Sequence, residues 1–304
     1  MKRGMNTVAA VATSIHPSAA TIPSIPPPPT IETNQSFYRR QLPENLTALT
    51  TRKGRRLLQE SLIDNHAETY LNLSGNFAHQ SEPAYCGLGS LAMVLNSLGV
   101  DPGRTWKGPW RWYSESMLEC CSPLSRVKET GITFDEFACL ASCNGLNVKA
   151  YRGGDVSYEQ FLFDIERTVR GGSSHSISNS SIGGSNGIPP TNPSAPATST
   201  STDNSIEMHM IVSFARKSLN QTGDGHFSPI GAFHRSQSQV LVMETATFKY
   251  PSYFVNAREL FDAMSPVDKV TNKPRGYFLL TLGSPCKEQK LRRREKGVDN
   301  VEST

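Results

Sequence analysis

Gln80-Ser81-Glu82-Pro83-Ala84-Tyr85-Cys86-Gly87 is followed by Leu88, Leu91, Leu95 and Leu98, a stripe at helical spacing, and then by Gly99, a residue suited to end a helix. The stretch predicts a buried helix with Cys86 at or just before its first turn. The free N–H groups there carry partial positive charge, which favours thiolate over thiol. A thiolate is the attacking form of cysteine, so this is where covalent thiol catalysis would place its sulfur. A cysteine in such a helix can equally be a small buried hydrophobe. The catalytic reading therefore needs a base elsewhere in the chain.

His226 supplies a candidate, 140 positions on, in the turn Gly223-Asp224-Gly225-His226-Phe227. Glu244 comes 18 residues later, at the end of the apolar run Val240-Leu241-Val242-Met243. Cysteine, then a distant histidine, then an oxygen-bearing orienter is the chain order of papain-type enzymes. Gln80, six residues before the sulfur, has an amide N–H of the kind that can donate to an oxyanion.

Longer motifs narrow the family. They are Q-S-E-P-A-Y-C-G-L at Gln80–Leu88, D-P-G-R-T-W-K-G-P-W-R-W at Asp101–Trp112 and E-S-M-L-E-C-C at Glu115–Cys121. T-G-D-G-H-F-S-P-I-G at Thr222–Gly231, F-K-Y-P at Phe248–Pro251 and R-G-Y-F at Arg275–Phe278 follow in order. From Gln80 to about Leu282 the chain resembles the N-terminal catalytic domain of the phytochelatin synthases (glutathione γ-glutamylcysteinyltransferases), of the papain-like superfamily. Phe37-Tyr38-Arg39-Arg40 resembles the start of that domain.

The resemblance implies a nucleophile at Cys86, a base at His226, an orienter at Glu244 and an oxyanion donor at Gln80. Asp268 and Arg275 match family positions that grip the amine and carboxylate of a γ-glutamyl group; read alone they are ordinary surface charges. The implied reaction transfers the γ-Glu-Cys unit of glutathione through a Cys86 thioester to another glutathione or phytochelatin, releasing glycine. Heavy-metal ions (Cd, Zn, Cu) are the implied activators, in part as metal–glutathione complexes. No organic cofactor, nucleic acid or membrane is expected; a homodimer is left open. Two departures stand out: Glu244 replaces the usual aspartate, and Thr247 stands where arginine is common. Loss of that cation would weaken seating of the acceptor and favour hydrolysis to γ-Glu-Cys, the competing enzymatic reading. A non-catalytic thiol metal-binding protein is the alternative from another class.

Cys120, Cys121, Cys139 and Cys143 are the residues on which a protein metal site would rest. Thiols suit soft ions, and Cys139 and Cys143 share one face of a predicted helix, though the spacing is not that of a zinc finger. Six cysteines in 304 residues do not make a small secreted disulfide scaffold, so a reduced compartment is the expectation.

Composition sets the organisation. Hydrophobic content of 37% is low for a chain packed throughout, which points to unstructured additions. Net charge of +4 does not by itself argue for nucleic acid, and no apolar run is long enough to span a membrane. Residues 1–35 read as a disordered tail or a transit peptide, giving a cytoplasmic location or, alternatively, plastid or mitochondrion. Residues 36–283 read as the catalytic domain, interrupted at 171–205 by a Ser/Gly/Thr/Asn/Pro insertion expected to loop out before the first strand. Residues 284–304 read as a charged tail. Relatives from eukaryotes continue into a second cysteine-containing domain that is essentially absent from these residues, which leaves open a short form or a partial gene product. Helices are expected around Leu57–Ile63, after Cys86, at Phe134–Ser142 and at Tyr158–Val169. Strands are expected at Met208–Phe214, Phe227–Phe233, Val240–Met243 and Tyr277–Leu282. Helices first and antiparallel strands later predict an α+β, papain-like fold, with the helical part packed on the sheet that carries the base.

Overall fold

A computed structural model describes residues 39–171 and 207–283. The N-terminal tail, the inserted stretch beyond Gly171, the charged tail and Phe37-Tyr38 lie outside the described residues. The described chain opens with β1 (Thr47–Ala48), α1 (Arg52–Ile63), α2 (Glu68–Gly75) and the helix that starts at the cysteine, α3 (Cys86–Ser97). After α4 (Leu124–Thr130), α5 (Phe134–Cys143), β2 (Leu146–Arg152) and α6 (Tyr158–Val169) come the central strands β3 (Met208–Ala215), β4 (Gly225–His234) and β5 (Gln239–Val242). Then follow β6 (Tyr253–Asn256), α7 (Ala257–Asp262), the short hairpin β7 (Val267–Asp268) and β8 (Lys273–Pro274), and β9 (Gly276–Leu282).

Among the described residues, seven strands form one antiparallel sheet in the order β1-β6-β5-β4-β3-β9-β2. Side chains alternate across it, as a strand's period of two requires. Ile211, Phe227, Leu241, Phe254 and Phe278 pack toward α1, α3 and α5. Met210, Val212, Val240, Val255 and Tyr277 pack toward α6 and α7 on the other face. Burial on both faces explains why these strands read as continuous apolar runs rather than alternating ones. The α+β expectation and the packing of the helical part on an antiparallel sheet both hold. The inserted stretch falls after β2, between α6 and β3, and not before the first strand. β2 went unread because it is an edge strand, paired only with β9, and its Asn147, Lys149 and Ala150 face solvent.

α3 is held where the leucine stripe predicts. Leu88, Leu91 and Leu95 are fully buried, and truncating any one to alanine would cost about 2–5 kcal/mol. Ser90 Oγ donates to Phe227 O at 3.1 Å, which ties the second turn of α3 to β4 one residue past the histidine. Gly99 adopts φ +63°, a left-handed value open to glycine at little cost, just beyond the helix end. Among the described residues no helix is long and apolar enough to cross a membrane.

Candidate active site

Cys86 is the first residue of α3, half-buried, and Tyr85 ahead of it supplies no side-chain cap to the free N–H groups of that turn. Burial pushes the thiol up, but the His226 ring beside it, with its hydrogen bond, the Phe227 N–H and the Arg216 charge together bring it below its ordinary 9.0. His226, on β4, is buried and faces Phe214 edge-on. Burial and Arg216 push the imidazole down, yet Glu244 and Cys86 outweigh them and raise it above 6.5. Opposite shifts of this kind mark a thiolate–imidazolium pair.

Glu244 lies completely buried just past β5, with Oε1 at 2.7 Å from His226 Nε2. With Nε2 engaged by the carboxylate, Nδ1 is the His226 nitrogen left for the thiol. Ala246 N–H donates to the same Oε1 at 2.8 Å. Burial would raise this carboxyl, but His226 and Arg216 hold its pKa at about 2. Asp224, the acidic residue two positions before His226, is instead an exposed partner of Lys217 at 3.1 Å. Glu244, and not Asp224, is the carboxylate beside His226.

Arg216 is the residue that sequence reading missed. It is 3% exposed, its Nη2 lies 3.0 Å from Oε1 and 2.9 Å from Oε2 of Glu244, and its Nη1 donates to Gln221 Oε1 at 2.7 Å. An arginine directly after an apolar strand reads as a surface charge. Only the fold turns it inward, so no signal in one sequence could have found it.

Gln80 is buried and attached to the same region: its N–H donates to Thr245 O at 3.1 Å, and its Oε1 accepts from Thr245 Oγ1 at 3.1 Å. Its Nε2 donates to both Glu82 O and Pro83 O at 2.9 Å. The amide expected at an oxyanion therefore braces its own loop in this state, and one N–H must turn from a carbonyl to serve an oxyanion. Asp268, the last residue of β7, and Arg275, one residue past β8, pair with each other at 3.4 Å. A Cβ on Gly225, next to His226, would sit 3.0 Å from Nε and Nη2 of Arg275, so glycine leaves room for the guanidinium beside the base.

The four remaining cysteines of the described residues require a correction. They converge, but as two disulfides, Cys120–Cys143 and Cys121–Cys139, and not as free thiols. Adjacent residues on one segment match positions four apart on α5, which brings the sulfurs of Cys120, Cys121 and Cys143 within 4.8 Å of one another. A disulfide sulfur has no thiolate to offer, so this state does not fit a soft metal ion. Cys86 is the one free cysteine among the described residues.

The model of the family described as phytochelatin synthase matches residues 37–183 and 194–277. The chain belongs to the phytochelatin synthase family. It is 42% identical over 246 residues to the glutathione gamma-glutamylcysteinyltransferase of Schizosaccharomyces pombe, covering 81% of this chain and 51% of that protein. It is 38% identical to glutathione gamma-glutamylcysteinyltransferase 3 of Lotus japonicus and to glutathione gamma-glutamylcysteinyltransferase 2 of Arabidopsis thaliana, over 81% of this chain and 44% and 47% of theirs. The chain thus spans about half the length of the curated relatives it matches. Within this phytochelatin synthase family member, Thr247 does not stand empty in place of a cation: its Oγ1 hydrogen-bonds His79 Nδ1 at 2.5 Å, next to Gln80.

Proposed function

We propose that this chain transfers the γ-Glu-Cys unit of glutathione through a thioester on Cys86. The observation that carries the reading is the assembled Cys86–His226–Glu244 set, with opposite shifts on sulfur and imidazole. The Cys86 thiolate attacks the carbonyl of the cysteinyl–glycine bond, and the negative charge that develops on oxygen is met by the Cys86 N–H and the Gln80 amide. The C–N bond breaks as His226 gives its proton to the departing glycine amine. The α-amine of a second glutathione then attacks the thioester, His226 takes the proton released, and the C–S bond breaks to restore the thiolate. Asp268 and Arg275, a charge pair beside Gly225, suit the α-ammonium and α-carboxylate of the γ-glutamyl group. Glu244 and Arg216 touch no substrate; they orient and tune the base. The arrangement of helix-borne cysteine and strand-borne histidine supports a papain-like fold.

Heavy-metal ions enter this reading as part of the substrate. An ion that masks the acceptor's thiol leaves its amine as the free nucleophile. Any direct site at Cys120, Cys121, Cys139 and Cys143 requires reduction of both disulfides first, and no step above passes through it.

Hydrolysis to γ-Glu-Cys is the second reading, favoured by Thr247, which binds His79 and offers no positive charge to an acceptor. Incubation with glutathione, with and without Cd²⁺, followed by mass spectrometry separates the two. Oligomers of γ-Glu-Cys ending in glycine support transfer. Glycine and γ-Glu-Cys alone support hydrolysis, and unchanged glutathione overturns both.

A further inference from the structure

We propose that Glu115 is a positioning residue for acylation, fixing Gln80 relative to Cys86; the inference rests on the acyl-transfer reading above. Glu115 begins a single 3₁₀ turn, Glu115–Met117, on the tryptophan-rich segment that the mechanism leaves unused. Its carboxylate is wholly directed at one residue. Ser81 N–H donates to Oε2 at 3.0 Å and to Oε1 at 3.3 Å, and Ser81 Oγ donates to Oε2 in a short hydrogen bond. Ser81 follows Gln80 directly, so this contact pins the loop that bears the oxyanion amide.

The carboxylate also lies on the nucleophile helix. A Cβ on Gly89, in the first turn after Cys86, would stand 3.0 Å from Glu115 Oε1 and 3.4 Å from Gln80 Cβ. Glutamate, glutamine and helix meet at a point where only a glycine fits without displacing a neighbour. The far end of α3 holds the same segment: Asn96 Nδ2 donates to Tyr113 O at 3.0 Å, and Tyr113 N–H donates to Asn96 Oδ1 at 2.9 Å. Leu118, three residues past Glu115, is fully buried in the core that α3 shares. The helix that carries the sulfur at its start therefore also carries, through Asn96 and Tyr113, the acid that grips the oxyanion loop. On the other side Gln80 is tied to Thr245, beside Glu244. Glu115 and Thr245 hold the loop from opposite flanks, which fixes where the amide stands when one of its N–H groups turns from a carbonyl to the oxyanion.

The test separates oxyanion chemistry from sulfur reactivity. Acylation of Cys86 by p-nitrophenyl acetate passes through an oxyanion whatever the natural substrate; alkylation by iodoacetamide forms none. Glu115→Ala should slow acylation about 10- to 100-fold, less than outright removal of a donor, and leave alkylation within about two-fold of the parent. Glu115→Gln retains a carbonyl oxygen for the Ser81 N–H and should recover most of the loss. Gly89→Ala, which presses a methyl against the carboxylate without removing it, should reproduce the slowing. Acylation at the parental rate in folded Glu115→Ala, or a parallel fall in alkylation, overturns the inference. If Glu115→Ala does not fold, equal acylation by Gly89→Ala and the parent overturns it. Glycine release from glutathione by the parent chain is measured alongside. Its absence counts against the glutathione reading and leaves the ratios above to judge Glu115.

Discussion

At the scale of single residues, the site is a buried relay of charge from Arg216 through Glu244 and His226 to Cys86. Cys86→Ser should abolish glycine release, since serine in this setting is not ionised; appreciable release by the purified variant would remove Cys86 from the reaction. Glu244→Gln can present its NH₂ to the ring and favour the wrong tautomer, and by analogy with orienters generally should cost on the order of 10²- to 10⁴-fold in turnover. Glu244→Asp keeps the charge and should retain activity; near-parental turnover in the Gln variant is the outcome that would exclude Glu244. The pKa shifts set a pH window. Thiolate survives below pH 9.0 because Cys86 is lowered, and imidazolium survives above pH 6.5 because His226 is raised. Alkylation of Cys86 by iodoacetamide should therefore persist below the pH at which a free thiol stops reacting. A single titration at 9.0 would show that the pair is not formed. Arg216→Met removes one cation from a buried pair, and melting experiments should show a loss of about 3–5 kcal/mol. A change below 1 kcal/mol would mean that Glu244 is held by other groups.

At the scale of elements, each member of the proposed catalytic set sits at an end or edge of something rigid. Cys86 heads α3, His226 is the second residue of β4, and Glu244 follows β5, the neighbour of β4. α5 is opened by a capping box between Thr133 and Glu136, which fixes the start of the helix that receives both disulfides. The Cys121–Cys139 bridge closes a separation of 18 residues, a loop for which cross-linking is worth about 3 kcal/mol. Cys121→Ser should lower the melting temperature by several degrees and keep most of the acylation rate, because these sulfurs take no part in the Cys86 chemistry. Loss of acylation in a folded Cys121→Ser chain would assign the bridge a role in the site. α1, α3, α5 and α6 were legible because each shows several apolar residues at helical spacing or a cap with an amphipathic run. α2, α4 and α7 were not, being 8, 7 and 6 residues long, shorter than the window over which a helical period can be read.

At the scale of the whole molecule, the inserted stretch can be tested from its flanks. Gly171 abuts Glu68, and Asn72 donates to Glu207 at 2.5 Å, so the two flanking positions meet α2 one turn apart. Deleting Gly172–Asn204 should therefore leave a joinable gap, and loop closure changes by only about 0.6 kcal/mol per doubling of length. The expected result is a melting temperature and a glycine-release rate close to those of the parent; a large fall in either would give the stretch a structural role. The sequence by itself determined the family and singled out Cys86 and His226 as the pair to look for, because motif residues and the leucine stripe of α3 are local patterns that survive without coordinates. It also determined the central strands, whose apolar runs are dictated by burial on both faces. The sequence also pointed to Glu244, and the tertiary structure shows that this carboxylate, not that of Asp224, reaches His226 across the sheet. The tertiary structure alone revealed Arg216, the commitment of the Gln80 amide to its own loop, the Glu115–Ser81 contact and the pairing of Cys120, Cys121, Cys139 and Cys143. Each of these joins residues distant along the chain, and sequence spacing carries no information on which distant groups a fold will bring within hydrogen-bonding reach.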